Sequence, residues 1–361
     1  MLLAAGGTGG HLFPAEALAA ALAKRGVGVE LATDARAVGY GGKFPARSVH
    51  VIPSATPRGA FGYVKAGAVI AMGVAQAYRL LGRLRPAAVV GFGGYPSIPA
   101  VLAAGLRGIP SIIHEQNGVM GRANRLLAPR ATAIATSFAG VVDAQPALAA
   151  KATRTGNPLR PAVLAAIAPY APPPPLGPFR LLAFGGSQGA RIMADIVPPA
   201  IELVPMAVRA RLHVTQQARE EDLKRVRAAY ARMGVTAEVA PFFSDLPRRM
   251  AASHLVVSRS GASTVAELAA IGRPAILVPL PHALDQDQKA NADRLQRAHG
   301  AIMFDQSRFT PDRLAGEIAR FAAEPGKLAA MAAAARGQGI LDAADRLADL
   351  VLEVAAQGTT N

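Results

Sequence analysis

Short apolar runs alternate with stretches of helical spacing along the whole 361-residue chain. Residues 27–33, 87–92, 111–114 and 132–136 read as strands in the first half, and 180–184, 212–215, 255–258 and 274–278 in the second. Between the strands lie amphipathic patterns. Over 14–24, for instance, Leu18 and Leu22 share a face, and Lys24-Arg25-Gly26 supplies a C-terminal stop. Strands and helices in strict alternation predict parallel sheets covered by helices on both faces. The length suits two such domains. Residues 155–160 read as the crossing between them, and 171–178, with five prolines, as an extended, exposed segment. Residues 341–355 carry acids and leucines at helical spacing and predict a closing helix. The expected boundaries are 1–158, 159–340 and a closing segment 341–361 that can pack back on the first domain.

The first strand of each half runs into a glycine pair. Near the start the chain reads Gly6-Gly7-Thr8-Gly9-Gly10-His11, and 179 positions after Gly6 it reads Gly185-Gly186-Ser187-Gln188-Gly189-Ala190. Paired glycines allow a tight turn with positive φ, and the helix that follows points free N–H groups and its dipole at an anion. Taken alone, either pair also has the competing reading of a simple strand–helix turn. The spacing does not fit the dinucleotide fingerprint, although Glu30 and Asp34 lie at a suggestive distance from the first loop.

Composition narrows the class. With no cysteine, a disulfide framework and a zinc–cysteine site are excluded. No basic-then-apolar leader precedes the first glycine loop, so a cleaved signal peptide is not expected, and Met1 leaves only a short first strand. The uncharged run 86–106 is broken by Pro96, Pro99 and several glycines, so it reads as strand, loop and helix rather than a membrane span. The net charge of +15 is unevenly placed, with 17 Lys/Arg against 5 Asp/Glu in residues 1–160 and 22 against 19 in the remainder. A basic first half implies an acidic partner there. Aromatic content of 5% and the lack of a long basic run argue against nucleic acid and for an anionic membrane.

The chemistry sits at predicted strand ends, where open α/β sheets bind ligands. In the first half these are His11, Gly91-Phe92-Gly93-Gly94-Tyr95 and His114-Glu115-Gln116-Asn117. In the second, Ser258-Arg259-Ser260-Gly261-Ala262-Ser263-Thr264 follows a strand and opens a helix bearing Glu267, which is placed to accept from ribose hydroxyls or to stabilise the helix dipole. Gln288 and Asn291, three apart on the next helix, suit sugar hydroxyls. Asp285-x-Asp287 resembles a paired-carboxylate metal site, but a helix N-terminus with arginine neutralises a diphosphate without metal, so neither metal nor cofactor is called for.

Together these blocks resemble the MurG-type peptidoglycan N-acetylglucosaminyltransferases of glycosyltransferase family 28, in order and over nearly the whole chain. The resemblance implies a GT-B fold: two Rossmann-like, doubly wound domains facing across a cleft. It implies an inverting transfer of N-acetylglucosamine from UDP-N-acetylglucosamine to the C4 hydroxyl of N-acetylmuramic acid in lipid I, forming lipid II, at the cytoplasmic face of the inner membrane as a peripheral protein. Carried over by position, Arg160, Ser187, Gln188, Phe243 (through its backbone), Ala262, Ser263, Thr264, Glu267, Gln288 and Asn291 would hold the donor. Thr8, Gly9, Gly10, Gly93, Gly94, Tyr95, Asn117 and Asn124 would hold the acceptor, with His11 as first and Glu115 as second candidate base. The segment 61–85 fits the family's membrane patch in outline, with Phe61, Tyr63, Val69, Ile70, Met72 and Tyr78 among Arg58, Lys65, Arg79, Arg83 and Arg85. The chain has no tryptophan to anchor it, so cations carry more of the attraction. A plain core-facing helix is the competing reading of that segment. Another UDP-sugar user of the same architecture, a glycolipid transferase or a non-hydrolysing epimerase, is the competing activity.

Overall fold

The computed structural model describes residues 1–35, 44–56, 59–186, 189–281 and 284–358. The chain divides into two compact units, Met1–Arg160 with Leu341–Asn361 and Pro161–Ile340.

In the first unit, β1 (Leu2–Ala4), β2 (Glu30–Thr33), β3 (Val49–Val51), β4 (Val89–Gly91), β5 (Ser111–Glu115), β6 (Ala133–Thr136) and β7 (Ala152–Arg154) form one sheet in the order β3-β2-β1-β4-β5-β6-β7. Every pairing is parallel. Because β1 and β4 are buried on both faces, they read as continuous apolar runs instead of alternating ones, whereas β5, equally buried, ends in His114 and Glu115. One face is covered by α1 (Gly9–Lys24) and the closing helix Ala343–Gly358, where Leu12, Leu18 and Leu22 meet Leu347, Val351 and Val354 over Leu3, Val90 and Ile112. Arg25 adds ion pairs to Asp345 at 3.3 Å and Asp349 at 3.0 Å.

The other face carries α2 (Gly59–Leu84), α3 (Ile98–Leu106) and α4 (Arg122–Leu127). The side of α2 bearing Ala66, Gly73, Ala77, Leu80 and Leu81 is buried. Gly73 lets it come close to Pro53 and Pro99, since a Cβ there would lie 2.2 Å from the Pro53 carbonyl. The opposite side leaves Val64, Met72 and Tyr78 exposed beside Lys65 and Arg79. Among the described residues, Val64–Leu84 is one stretch long and apolar enough by length and composition to cross a bilayer. Its buried side belongs to the domain core.

The second unit repeats the plan. Strands β8 (Phe179–Phe184), β9 (Leu212–Gln217), β10 (Thr236–Ala240), β11 (Leu255–Ser258), β12 (Ala275–Leu277) and β13 (Ala301–Met303) run parallel in the order β10-β9-β8-β11-β12-β13. Helices Arg191–Leu203 and Pro311–Ala323 pack Met193, Val197, Ile201, Leu314, Ile318 and Phe321 against Phe179, Leu181 and Val257. The uncharged run 86–106 resolves into β4, a glycine turn and α3.

Candidate active site

In each sheet the strand order reverses beside the first strand, between β1 and β4 and between β8 and β11. Loops leaving neighbouring strands diverge at such a point and form a ligand crevice. Both glycine pairs lie there, and both are tied to the adjacent strand by a side chain. The Gly7 N–H donates to Asp34 Oδ1 at 3.0 Å just beyond β2. The Gly185 N–H donates to Gln217 Oε1 at 2.9 Å at the end of β9, and Gln217 Nε2 donates to the carbonyls of Gly186 and Pro241. Asp34 is therefore a clamp on the first loop, a role its dinucleotide-like spacing does not suggest.

Around the first loop, three strand ends contribute. Thr8 starts α1 in an extended conformation without a side-chain cap or an acidic residue in the first turn, so the helix N-terminus stays open to an anion. After β4, Gly93 and Gly94 have φ of 76° and 66°, and the Ser97 hydroxyl donates to the Gly94 carbonyl at 2.9 Å. A Cβ at Gly94 would lie 3.1 Å from both Cδ2 and Nε2 of His11, and one at Gly93 would lie 3.2 Å from Asn124 Nδ2. Tyr95 follows, half-buried against the core.

After β5, the two candidate bases part company. Glu115 is buried and accepts four hydrogen bonds. Its Oε1 takes the Asn117 N–H (3.0 Å) and Asn117 Nδ2 (3.1 Å), and its Oε2 takes the Gly121 N–H (2.9 Å) and Asn124 Nδ2 (2.8 Å). Both oxygens are thus spent on shaping the 116–124 loop. His11 sits half-buried, with Nδ1 3.3 Å from Gln116 Oε1. Gln116 in turn reaches His114, whose Nε2 meets the Gly156 carbonyl at 3.0 Å. Complete burial pushes His114 down to about 4 and keeps it neutral. Gln116 has no signal of its own in the sequence beyond its place in the His-Glu-Gln-Asn run. Arg160, expected on the donor side, falls in the first unit, its guanidinium 3.9 Å over the Phe13 ring.

In the second unit Gly261 starts the helix Ala262–Ile271, again with no side-chain cap and no acid in the first turn. The amides of Ala262, Ser263 and Thr264 therefore open this helix, and the Ser263 hydroxyl is buried with no hydrogen-bond partner among the described residues. Glu267 lies one turn in and is nearly buried. Arg259 is absorbed structurally: it donates to the carbonyls of Val278 (3.0 Å) and Pro279 (2.9 Å) and to Gln306 Oε1 (2.6 Å).

Gln288 Oε1 accepts from the Leu280 N–H at 3.1 Å, while the Ser260 hydroxyl donates to the Gln288 carbonyl at 2.8 Å. Asn291 departs from expectation. It has no accessible surface, and its Nδ2 donates to the Ser260 carbonyl at 3.1 Å, so it braces the 258–262 turn from within. Asp285 and Gln286 precede it with φ of 67° and 51°, a strained entry to the helix Asp287–Arg297. The Phe243 side chain is buried under Arg249, leaving Phe242 exposed. Ser187, Gln188 and Arg58, and the side chains of Phe61 and Tyr63, lie outside the described residues.

Two doubly wound parallel sheets, each with a glycine loop at its switch point, make a GT-B-like architecture. The chain belongs to glycosyltransferase family 28: the family's N-terminal domain matches residues 1–136 and its C-terminal domain residues 180–347. A relative from Rhodopseudomonas palustris (strain HaA2), named UDP-N-acetylglucosamine--N-acetylmuramyl-(pentapeptide) pyrophosphoryl-undecaprenol N-acetylglucosamine transferase, is 62% identical over 358 residues, 98% of each chain. One of the same name from Bradyrhizobium diazoefficiens is 60% identical over the same shares. Among solved structures, Acinetobacter baumannii MurG matches with a TM-score of 0.78 at 31% identity, covering 98% of both chains.

Proposed function

We propose that this chain transfers N-acetylglucosamine from UDP-N-acetylglucosamine to the C4 hydroxyl of N-acetylmuramic acid in lipid I, releasing UDP and forming lipid II. The observation that carries this reading is the 62% identity to a transferase of that name across 98% of both chains. Fold alone would not separate it from an epimerase.

The first unit takes the acceptor. Its pyrophosphate lies against the open start of α1 at Thr8, Gly9 and Gly10 and against Gly93-Gly94, with Tyr95, Asn117 and Asn124 around the sugar. The C4 hydroxyl approaches His11 Nε2 in the space beside Gly94. As the C4 oxygen attacks the anomeric carbon from the face opposite the diphosphate, its proton passes to Nε2. The bond from that carbon to the phosphate oxygen breaks, and its electron pair leaves with UDP, so the configuration inverts. Glu115, with both oxygens occupied, organises the loop and takes no proton.

The second unit takes the donor. The amides of Ala262, Ser263 and Thr264 and the 185–190 loop, with Ser187 and Gln188, meet the diphosphate, where an uncapped helix N-terminus stabilises the leaving charge. Arg160 adds a cation, the Phe243 backbone reads the uracil edge, Glu267 holds the ribose and Gln288 the N-acetylglucosamine. Asn291 supports this set by fixing Ser260. The exposed side of α2, with Val64, Met72 and Tyr78 among Lys65, Arg79 and Arg83, rests on the anionic cytoplasmic leaflet, each cation worth about 1 kcal/mol there.

The test is UDP release from UDP-N-acetylglucosamine and a lipid I analogue. Glu267→Ala should raise the donor KM with a smaller change in kcat. Turnover with a different acceptor and none with lipid I would overturn the substrate assignment.

A further inference from the structure

Gln116 sits between two histidines, and the atoms around it dictate its orientation. Its Nε2 lies 3.0 Å from the Phe92 carbonyl, 3.1 Å from the His114 carbonyl and 3.0 Å from His114 Nδ1. Two of these neighbours are carbonyl oxygens, which only accept, so the amide nitrogen belongs there and the amide oxygen faces His11. That oxygen also only accepts. The His11 Nδ1 against it at 3.3 Å must therefore carry a proton, and the lone pair of the neutral ring is on Nε2, beside Gly94. The same logic runs the other way. His114 Nδ1 faces an N–H donor and must be the bare nitrogen, which puts the proton on Nε2, where the Gly156 carbonyl accepts it at 3.0 Å. The two amide hydrogens are shared among three acceptors, and in every choice among them the amide oxygen is left facing His11 Nδ1. Phe92, tilted at 5.6 Å from the His114 ring, closes the side of the row.

We propose that Gln116, locked by the Phe92 carbonyl and by His114, which is itself held by the Gly156 carbonyl, is a positioning residue that fixes the tautomer and ring plane of His11 so that Nε2 presents its lone pair. This rests on the reading of His11 as the base. It adds a device joining four strand ends, because β1, β4, β5 and β7 each supply a member or its adjoining loop. The amide oxygen also accepts a stronger, charge-assisted bond once His11 has taken the proton. A carboxamide, unlike a carboxylate, adds no charge to hold that proton afterwards.

The experiment uses the full-length protein labelled with nitrogen-15, read by long-range proton–nitrogen correlation of the histidine rings above neutral pH. His11 is expected as the Nδ1–H tautomer and His114 as Nε2–H. In Gln116→Met, which keeps the length and loses the acceptor, His11 should lose that single tautomer. There kcat should fall about tenfold or more with both KM values little changed, and the acidic limb of kcat/KM should shift to lower pH. His11 found as Nε2–H in the wild-type protein overturns the proposal without recourse to any variant. So does a Gln116→Met enzyme with unchanged tautomer and kcat. If the tautomers are as stated but His11→Ala keeps most of its kcat, the positioning row stands and the assignment of His11 as base falls.

Discussion

Replacing Gly94 by alanine places one methyl group where the proposed proton transfer occurs, and its cost divides into two measurable parts. Gly94 has φ 66° and ψ 163°, a region that side chains essentially never occupy, and forcing alanine there costs on the order of 1–3 kcal/mol. In a domain of this size the melting temperature falls by roughly 2–4 °C per kcal/mol. The second part is contact. The new Cβ would lie 3.1 Å from His11 Cδ2 and Nε2 and 3.4 Å from Pro96 Cδ, so the imidazole is the group free to yield. Its hold on Gln116 is already 3.3 Å long, and a small displacement breaks it. We expect kcat to fall at least tenfold, towards the roughly 10²-fold or greater loss of a general base. Gly108→Ala is the control. Gly108 has φ 67°, but nothing lies within 4 Å of a Cβ there, so that variant should lose about 1–2 kcal/mol of stability and keep its kcat. Steady-state UDP release and thermal melts of the two variants together decide the matter. A Gly94→Ala enzyme with kcat within twofold of wild type would refute the placement of the reacting hydroxyl beside His11.

Other outcomes follow from the same geometry. His114 is held near 4 by burial against an ordinary value of 6.5, so the unfolded chain binds the extra proton first. Stability from its neutral form is complete above about pH 6.5 and is withdrawn as pH falls towards 4, by about 3 kcal/mol in all, which urea titrations at stepped pH would register as a falling midpoint. Glu115→Gln turns an acceptor into a donor facing N–H groups and should cost about 1–3 kcal/mol of stability, with kcat falling as the 116–124 loop loosens; an unchanged melt would contradict the count of four donors. Gln217→Leu should free the second glycine loop and raise the donor KM while leaving acceptor KM unaltered, as competition with UDP would reveal. Vesicle co-sedimentation should require anionic lipid and weaken as salt rises, and Lys65→Glu with Arg79→Glu should reduce it at constant activity on a soluble acceptor analogue.

The parts of the fold legible in the sequence are the interior strands of the two sheets. All eight strands readable as apolar runs are present, whereas β3, β7, β10 and β13 gave no such signal, and these are the four edges of the two sheets. An edge strand is partly open to water, as in the exposed, intermediate, exposed pattern of Val49–Val51, and needs no unbroken apolar run. Strand 27–33 begins later than its pattern suggests, at Glu30, because Val27 bonds back to the end of α1 through the Leu22 carbonyl. At the site, glycine pairs and the His-Glu-Gln-Asn run were readable because turns and strand ends are local. What Gln116, Asp34 and Gln217 do was not readable, since each acts on a residue far along the chain; Gln116 and His11 are 105 positions apart. For Asn291 helical spacing gave the face it shares with Gln288, but it could not reveal that Asn291 itself is fully buried while Gln288 is not.

The return of the closing helix to the first unit sets an order of manufacture. Leu347, Val351 and Val354 complete an apolar layer begun by Leu3, Leu18 and Leu22, yet the whole of Pro161–Ile340 is synthesised in between. At about 5–20 residues per second, the nascent first unit waits roughly 10–40 s with that seam open while the second unit, whose strands and helices are contiguous in sequence, can close as it emerges. The half proposed to meet the membrane is thus the last to finish, its apolar seam open until the closing helix has been made.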